Sequence, residues 1–166
     1  MSISLLRTDE EMTDIYNRYV DTIYRIAFML LRNVPEAEDA TQTVFIKLMT
    51  SGSQFEGEEH MKAWLIVTAR NTCKDLLKGW WRSKRVNSKS VLKQTHLLDT
   101  FENNIWGKIT ALEEKYKLPI YLYYYEGYKT EEIAKMLKVN HATLRTRLRT
   151  AKKKLKLLLE EEPENE

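Results

Sequence analysis

The end of the chain places an apolar stripe and a cationic stripe on one predicted helix. The apolar residues recur at steps of four and three, which is the spacing of a buried helix face: Leu144, Leu148, Ala151, Leu155 and Leu158. The basic residues repeat that spacing one position later: Arg145, Arg149, Lys152 and Lys156. No acidic residue lies between Lys138 and Lys156. Such a helix needs a hydrophobic core on one side and favours a polyanion on the other.

A shorter helix is predicted just before it. Thr130 is a suitable N-cap, and Glu131 and Glu132 place negative charge in the first turn, where the helix dipole favours it. The apolar face consists of Ile133, Ala134 and Leu137. Asn140 is then the N-cap of the long basic helix. This order predicts a helix-turn-helix whose second helix enters the major groove of DNA. The alternative is a helical hairpin whose basic face is only solvated.

Composition limits the other possibilities. The 166 residues fit one ordinary domain or two small ones. The single cysteine, Cys73, excludes an internal disulfide and is expected to be a buried thiol, and His60, His96 and His141 have no metal-ligand spacing, so we expect no metal and no cofactor. The longest apolar run, residues 26–31, is too short to cross a bilayer, so we expect no membrane insertion and a cytoplasmic location.

Three helices are predicted for the first half, at about residues 12–31, 35–49 and 61–80, with a break at Asn33 and Pro35. The first should bury Ile15, Tyr19, Ile23, Ala27 and Leu30. The second should bury Ala37, Ala40, Val44 and Leu48. The third should bury Trp64, Thr68, Thr72, Cys73 and Leu76. The opposite face of the third is basic and polar, with Arg70, Asn71, Lys74 and Lys78.

The segment from Arg82 to Asn104 is rich in polar residues and is predicted to be a linker, with one marginal amphipathic helix. An apolar pattern then resumes from Trp106 through Ile109, Leu112, Tyr116, Ile120 and Tyr124. The predicted fold is all-α, with two small helical domains on a flexible linker. The domain limits are 10–82 for the first domain, 83–104 for the linker, 105–160 for the domain with the helix-turn-helix, and 161–166 for an acidic tail.

Two surfaces have open interpretations. Asp39, Gln42 and Ile46 line up opposite the buried stripe of the second helix, which suits either a docking surface or a solvated face. Trp80 and Trp81 precede several basic residues, so they either stack on unpaired bases or fill the core of the domain.

Three segments resemble the extracytoplasmic-function group of sigma factors. They are YVDTIYRIAFMLLRNVPEAEDATQTVFIKL at residues 19–48, FEGEEHMKAWLIVTARNTCKDLLK at 55–78, and LPIYLYYYEGYKTEEIAKMLKVNHATLRTRLRTAKKKL at 118–155. A helix-turn-helix alone is common, but these segments in this order and at this separation are specific. The resemblance implies a dissociable subunit of bacterial RNA polymerase that directs transcription initiation and is not itself an enzyme.

The resemblance also implies partners and residue roles. The partners would be core RNA polymerase, promoter DNA (a duplex −35 element and a single-stranded −10 element) and an anti-sigma factor. Polymerase contact is implied for Asp39, Gln42 and Phe45. Contact with the −10 strand is implied for Arg70, Asn71, Lys74 and Asp75, and Lys78 continues that face. Contact with the −35 duplex is implied for Arg145, Thr146 and Arg147, and Arg149, Lys152 and Lys153 continue that helix.

The chain departs from the family pattern at two positions in its second half. Glu113 stands where the family usually has a proline, and Thr150 stands where it usually has an arginine. The other function considered is a helix-turn-helix regulator that binds DNA without polymerase. Such a protein needs a dimer interface or a sensing domain, and the sequence indicates neither.

Overall fold

A computed structural model describes residues 7–83 and 105–161, without the side chains of residues 80–83. Within these two ranges the chain is helical and contains no strand, which confirms the all-α prediction. The described helices are α1 (Asp9–Leu31), α2 (Val34–Ser51), α3 (Glu58–Ser83), α4 (Ile105–Thr110), α5 (Glu114–Tyr124), α6 (Thr130–Leu137) and α7 (His141–Glu160).

The chain divides into two compact units between residues 91 and 92. The first unit contains α1 to α3, and the second contains α4 to α7. The marginal linker helix and the side chains of Trp80 and Trp81 lie outside the described residues. No helix in the described part of the chain is long and apolar enough to cross a membrane.

Helix α1 begins three residues earlier than predicted because a capping box starts it. The Thr8 hydroxyl oxygen accepts a hydrogen bond from the Glu11 backbone N–H (3.2 Å), and the Glu11 carboxylate accepts one from the Thr8 N–H (2.9 Å). The break after α1 is confirmed. Arg32 adopts a left-handed conformation (φ 52°), and the Asn33 side chain then caps α2 through the Glu36 N–H (3.0 Å).

The core of the first unit forms where α1 packs against both α2 and α3. Every residue predicted to be buried on α1 and α2 is buried. The predicted face of α3 was wrong, because Trp64 and Thr68 are only half-buried and Leu76 is 40% exposed. The buried face, which also includes the predicted Thr72 and Cys73, contains Met61, Leu65, Ile66 and Ala69. Residues 63–67 are all apolar, so the sequence pattern left the rotation of α3 ambiguous by one residue, about 100°.

Polar contacts also join the helices of the first unit. The Tyr19 hydroxyl donates to the Glu58 carboxylate (3.0 Å), and the Arg18 guanidinium pairs with the same carboxylate. These contacts, with the Tyr19 hydrogen bond first, lower the pKa of Glu58, which stays charged at the start of α3. On the other side of the unit, the Lys47 ammonium donates to the Thr72 hydroxyl oxygen (3.0 Å) and joins α2 to α3.

The core of the second unit draws on all four of its helices. Of the residues in the apolar pattern that begins at Trp106, Ile109, Leu112 and Ile120 are buried. Tyr116 is half-buried, and Tyr124 is 58% exposed, so the apolar pattern does not follow a single buried face. Tyr116, Ile120 and Tyr124 all lie on α5, and each four-residue step moves about 40° around the helix, so Tyr124 lies about 80° from Tyr116.

The helix-turn-helix consists of α6 and α7. Ile133, Ala134 and Leu137 of α6 are buried, as are Leu144, Leu148 and Ala151 of α7. The predicted Asn140 cap is confirmed, since its side-chain oxygen accepts from the Ala142 N–H (2.8 Å). Farther along α7, Leu155 and Leu158 are only half-buried, so full burial of the predicted stripe ends at Ala151.

The predicted Thr130 cap was wrong by one residue. Lys129 is the N-cap, and the Glu132 carboxylate accepts a hydrogen bond from its backbone N–H (3.0 Å). The Thr130 hydroxyl instead lies 2.8 Å from Nε2 of His141, the first residue of α7. This contact ties the start of α7 to the start of α6.

The buried face of α3 generates a stability prediction. Leu65→Ala should reduce the free energy of unfolding by about 2–5 kcal/mol, because it leaves a cavity at a fully buried site. Leu76→Ala removes the same atoms at an exposed site and should cost about 1 kcal/mol or less. Urea unfolding monitored by circular dichroism measures both. A larger loss for Leu76→Ala would contradict the rotation of α3 described above.

Candidate nucleic-acid interfaces

The outer face of α7 is cationic and points away from the core of its unit. Arg145, Thr146, Arg149 and Lys153 are exposed, and Arg147 is half-buried. Within residues 105–161, no carboxylate lies within 4.0 Å of the charged groups of Arg145, Arg149 or Lys153. The positive charge of these three side chains is therefore not neutralised by a carboxylate within this range, and it makes the face attractive to anions.

The start of α7 is held firmly at the turn. The Asn140 side chain accepts a hydrogen bond from the Ala142 N–H in the first turn, and the contact between His141 and Thr130 joins the first residue of α7 to α6. The Thr146 hydroxyl donates to the Ala142 carbonyl oxygen (3.1 Å), so its oxygen remains an acceptor on the exposed face. The first turn of α7 is thus joined both to the preceding turn and to α6.

Two lysines of α7 are engaged within the protein. The Lys152 ammonium lies 5.5 Å and 5.3 Å from the ring centroids of Tyr123 and Tyr124. A hydrogen bond with Tyr124 is the main cause of the raised pKa of Lys152. The Lys154 ammonium lies 3.3 Å from a Glu113 carboxylate oxygen and 5.1 Å from the centroid of the Tyr116 ring. No pattern in the sequence indicates these contacts, since the partners belong to another part of the unit.

A second polar and basic face lies on α3, in the other unit. Asn71, Asp75 and Lys78 are exposed, and Arg70 and Lys74 are half-buried. All five lie on the side of α3 opposite its buried face, so the structure groups them as the sequence predicted. The face combines an amide, a carboxylate and cations, which can bond base edges and phosphates.

The exposed face of α2 differs in character. Asp39 and Gln42 are exposed, and Ile46 is 56% exposed, whereas Phe45 is buried and packs edge-on against Tyr16 at 4.9 Å between centroids. Beside this face runs an apolar groove of about 360 Å³ between α1 and α2. It is lined by Met12, Thr13, Tyr16, Gln42, Phe45, Ile46 and Met49. The groove was not predicted from the sequence because two helices are needed to form it.

Comparison with known families matches each unit to one model. Residues 15–83 match the family model described as Sigma-70 region 2, and residues 103–155 match the one described as Sigma-70, region 4. The two matches contain the cationic face of α3 and the helix-turn-helix, respectively.

Curated relatives and solved structures agree with these matches. The ECF RNA polymerase sigma factor SigW of Bacillus subtilis is 26% identical over 164 residues, which cover 89% of this chain and 88% of SigW. The sigma factor SigV of the same organism is 28% identical over 144 residues, covering 84% and 85%. These alignments extend through both units.

Two solved structures show the same fold. The sigma factor RpoE of Bartonella quintana, in complex with the anti-sigma factor NepR, has a TM-score of 0.74 at 22% identity and covers 93% of this chain and 99% of its own. CnrH in complex with the cytosolic domain of CnrY has a TM-score of 0.70 at 17% identity, with 94% and 92% covered. From the two family matches, in this order, and the alignments with curated relatives, the chain belongs to the sigma-70 family and, within it, to the extracytoplasmic-function group of RNA polymerase sigma factors.

Proposed function

We propose that this chain is an alternative sigma factor that binds core RNA polymerase, recognises promoters and opens them for transcription initiation. The observation that carries the proposal is the pair of basic helix faces on two separate units, one of them on a helix-turn-helix. Members of the family are DNA-binding initiation factors rather than enzymes. Phosphodiester synthesis then belongs to the polymerase, and the chain acts in the cytoplasm.

The proposed roles divide along the chain. Residues 10–82 dock on polymerase and read the −10 element, residues 83–104 link the units, and residues 105–160 read the −35 element before the acidic tail at 161–166. The division between the units at residues 91 and 92 falls within the proposed linker. Two binding modules on one chain raise each other's effective concentration, so each element can be recognised with modest affinity.

Duplex recognition is assigned to α7. Arg145, Thr146, Arg147 and Arg149 are placed in its N-terminal half, the part of a recognition helix that reaches base edges. Arginine bonds both acceptors of guanine in the major groove, which supplies sequence preference. Lys153 lies later on α7, is exposed, and is assigned to the phosphate backbone.

Recognition of the melted −10 strand is assigned to the face of α3. The Asn71 amide is exposed and has both a donor and an acceptor for the edge of an unstacked base. Arg70, Lys74 and Lys78 supply the positive charge that holds the backbone of a single strand. Asp75 lies on the same face and can accept hydrogen bonds from base amino groups.

Polymerase docking is assigned to the exposed face of α2. Asp39 and Gln42 offer polar contacts, and the adjacent groove offers apolar surface with Ile46 on its rim. A polar rim beside an apolar centre is the usual composition of a protein interface. The buried Phe45 supports this surface from beneath, through its contact with Tyr16.

Control by an anti-sigma factor is part of the proposal. Among the structures with the same fold, RpoE is bound to the anti-sigma factor NepR, and CnrH is bound to the cytosolic domain of CnrY. An anti-sigma factor could block DNA binding by covering a basic face of this chain. It could instead block polymerase binding by covering the exposed face of α2.

Reconstitution tests the function. The chain added to core polymerase should give promoter-dependent transcription, and without polymerase it should show no sequence-specific shift of duplex DNA at physiological salt. Specific binding of duplex DNA by the chain alone, without support of transcription, would favour the autonomous regulator instead.

The docking face gives one prediction. Asp39→Arg combined with Gln42→Ala should abolish binding to core polymerase, because it reverses one charge and removes an amide on the proposed contact surface. The fold should persist, since exposed substitutions cost about 0.5 kcal/mol or less. Pull-down of core polymerase measures binding, and Asp21→Arg on α1 is the matched charge control. Undiminished binding by the double variant would remove this assignment.

The assignment of α3 to the melted −10 strand gives a second prediction. Asn71→Ala should weaken transcription most at one position of the −10 element, because an amide reads a base edge. Lys74→Ala should weaken transcription from all promoters alike, because an ammonium mainly meets phosphate. A panel of single-base promoter variants distinguishes the two. If Asn71→Ala lowers every promoter equally, Asn71 does not read a base.

The assignment of α7 to the −35 duplex gives a third prediction. Arg145→Ala should cost about 1–3 kcal/mol on the preferred −35 sequence and flatten the preference at one or two base pairs. Lys153→Ala should weaken binding to all duplexes and reduce the salt slope by about one. Titrations of the polymerase holoenzyme at several salt concentrations measure both effects. Retention of the −35 preference after Arg145→Ala would refute this placement of α7.

A further inference from the structure

Two lysines of α7 that lie two positions apart contact opposite ends of α5. Lys154 meets the start of α5, where it contacts Glu113 at 3.3 Å and the Tyr116 ring at 5.1 Å. Lys152 meets the other end, over the rings of Tyr123 and Tyr124 at 5.5 Å and 5.3 Å. Both lysines therefore contact the helix on which α7 packs.

We propose that Lys152 and Lys154 act as a brace that sets the orientation of the recognition helix on α5, and that neither contacts DNA phosphate. The proposal rests on the function assigned above to α7. It changes the role of Lys152, which the sequence groups with the DNA-binding residues.

Helix geometry explains why two lysines are needed. Side chains two positions apart point about 200° apart around a helix axis, so Lys152 and Lys154 leave α7 on opposite sides. Helix α5 has 11 residues and is about 16 Å long, and long lysine stems on either side of α7 reach its two ends. Contacts on both sides oppose rotation of α7 in either direction and add to the orientation that the buried Leu144, Leu148 and Ala151 give it.

Charge supports the same assignment. The Lys152 ammonium faces two aromatic rings, and the Lys154 ammonium faces a ring and a carboxylate. Moving either ammonium to a phosphate would break these contacts. Lys153, between them, is exposed like Lys152, but among residues 105–161 it has neither a carboxylate within 4.0 Å nor an aromatic ring contact. It is therefore the matched control on the same helix.

The first test measures holoenzyme binding to a −35 duplex and to a scrambled duplex at several salt concentrations. Lys152→Gln and Lys154→Gln should leave the salt slope unchanged and lower the preference for the −35 sequence about two- to fivefold, since α7 is less well oriented. Lys152→Arg should restore the preference, because a guanidinium also stacks on tyrosine. Lys153→Gln should reduce the salt slope by about one and leave the preference unchanged.

The second test needs neither DNA nor polymerase. The midpoint of thermal unfolding is measured for Lys152→Gln, Tyr124→Leu and the double variant of the full chain. The double variant should fall by less than the sum of the single variants, because both remove the same contact. Lys153→Gln with Tyr124→Leu should be additive.

The two tests separate the failure of the brace from the failure of the proposed function. Additive midpoints for Lys152 and Tyr124, or a salt slope that falls by one in Lys152→Gln, would overturn the brace. A holoenzyme without any −35 preference would overturn the function assigned to α7, and the unfolding measurement would still decide whether the brace exists.

Discussion

The burial of Leu144, Leu148 and Ala151 determines what the second unit presents to its surroundings. Each residue along α7 is rotated by about 100° from the last, so burying this stripe turns Arg145 and Arg149 outward. A shift by one residue would turn an arginine into the core at the cost of burying an unpaired charge. The same packing that stabilises the unit therefore selects its basic face.

How well the sequence predicts each helix depends on how unequal its faces are. Helices α6 and α7 have one apolar face each, and their buried residues and the Asn140 cap were predicted correctly. The half-buried Leu155 and Leu158 and the Thr130 cap were not. Helix α3 is apolar through residues 63–67, so its rotation was predicted wrongly and Leu76 was placed in the core. Periodicity gives orientation only where polar residues exclude the alternatives.

Prediction of the candidate nucleic-acid interfaces from the sequence is limited in the same way. Residues that share one helix face, such as Asn71 and Lys74, were grouped correctly because helix geometry alone groups them. Contacts between helices were not predicted, since spacing along one helix carries no information about its neighbours. The groove beside Gln42 and the rings around Lys152 are examples of features that appear only in the folded chain.

The central claim is that α3 and α7 contact different promoter elements within one polymerase complex. Site-specific photocrosslinking tests it most directly, with a photoreactive residue placed at Lys74 or at Lys153 in the full chain. We expect crosslinks from position 74 to the melted −10 strand and from position 153 to the −35 duplex, both only when core polymerase is present. Crosslinks from both positions to one element, or crosslinks to the promoter that do not require polymerase, would contradict the claim.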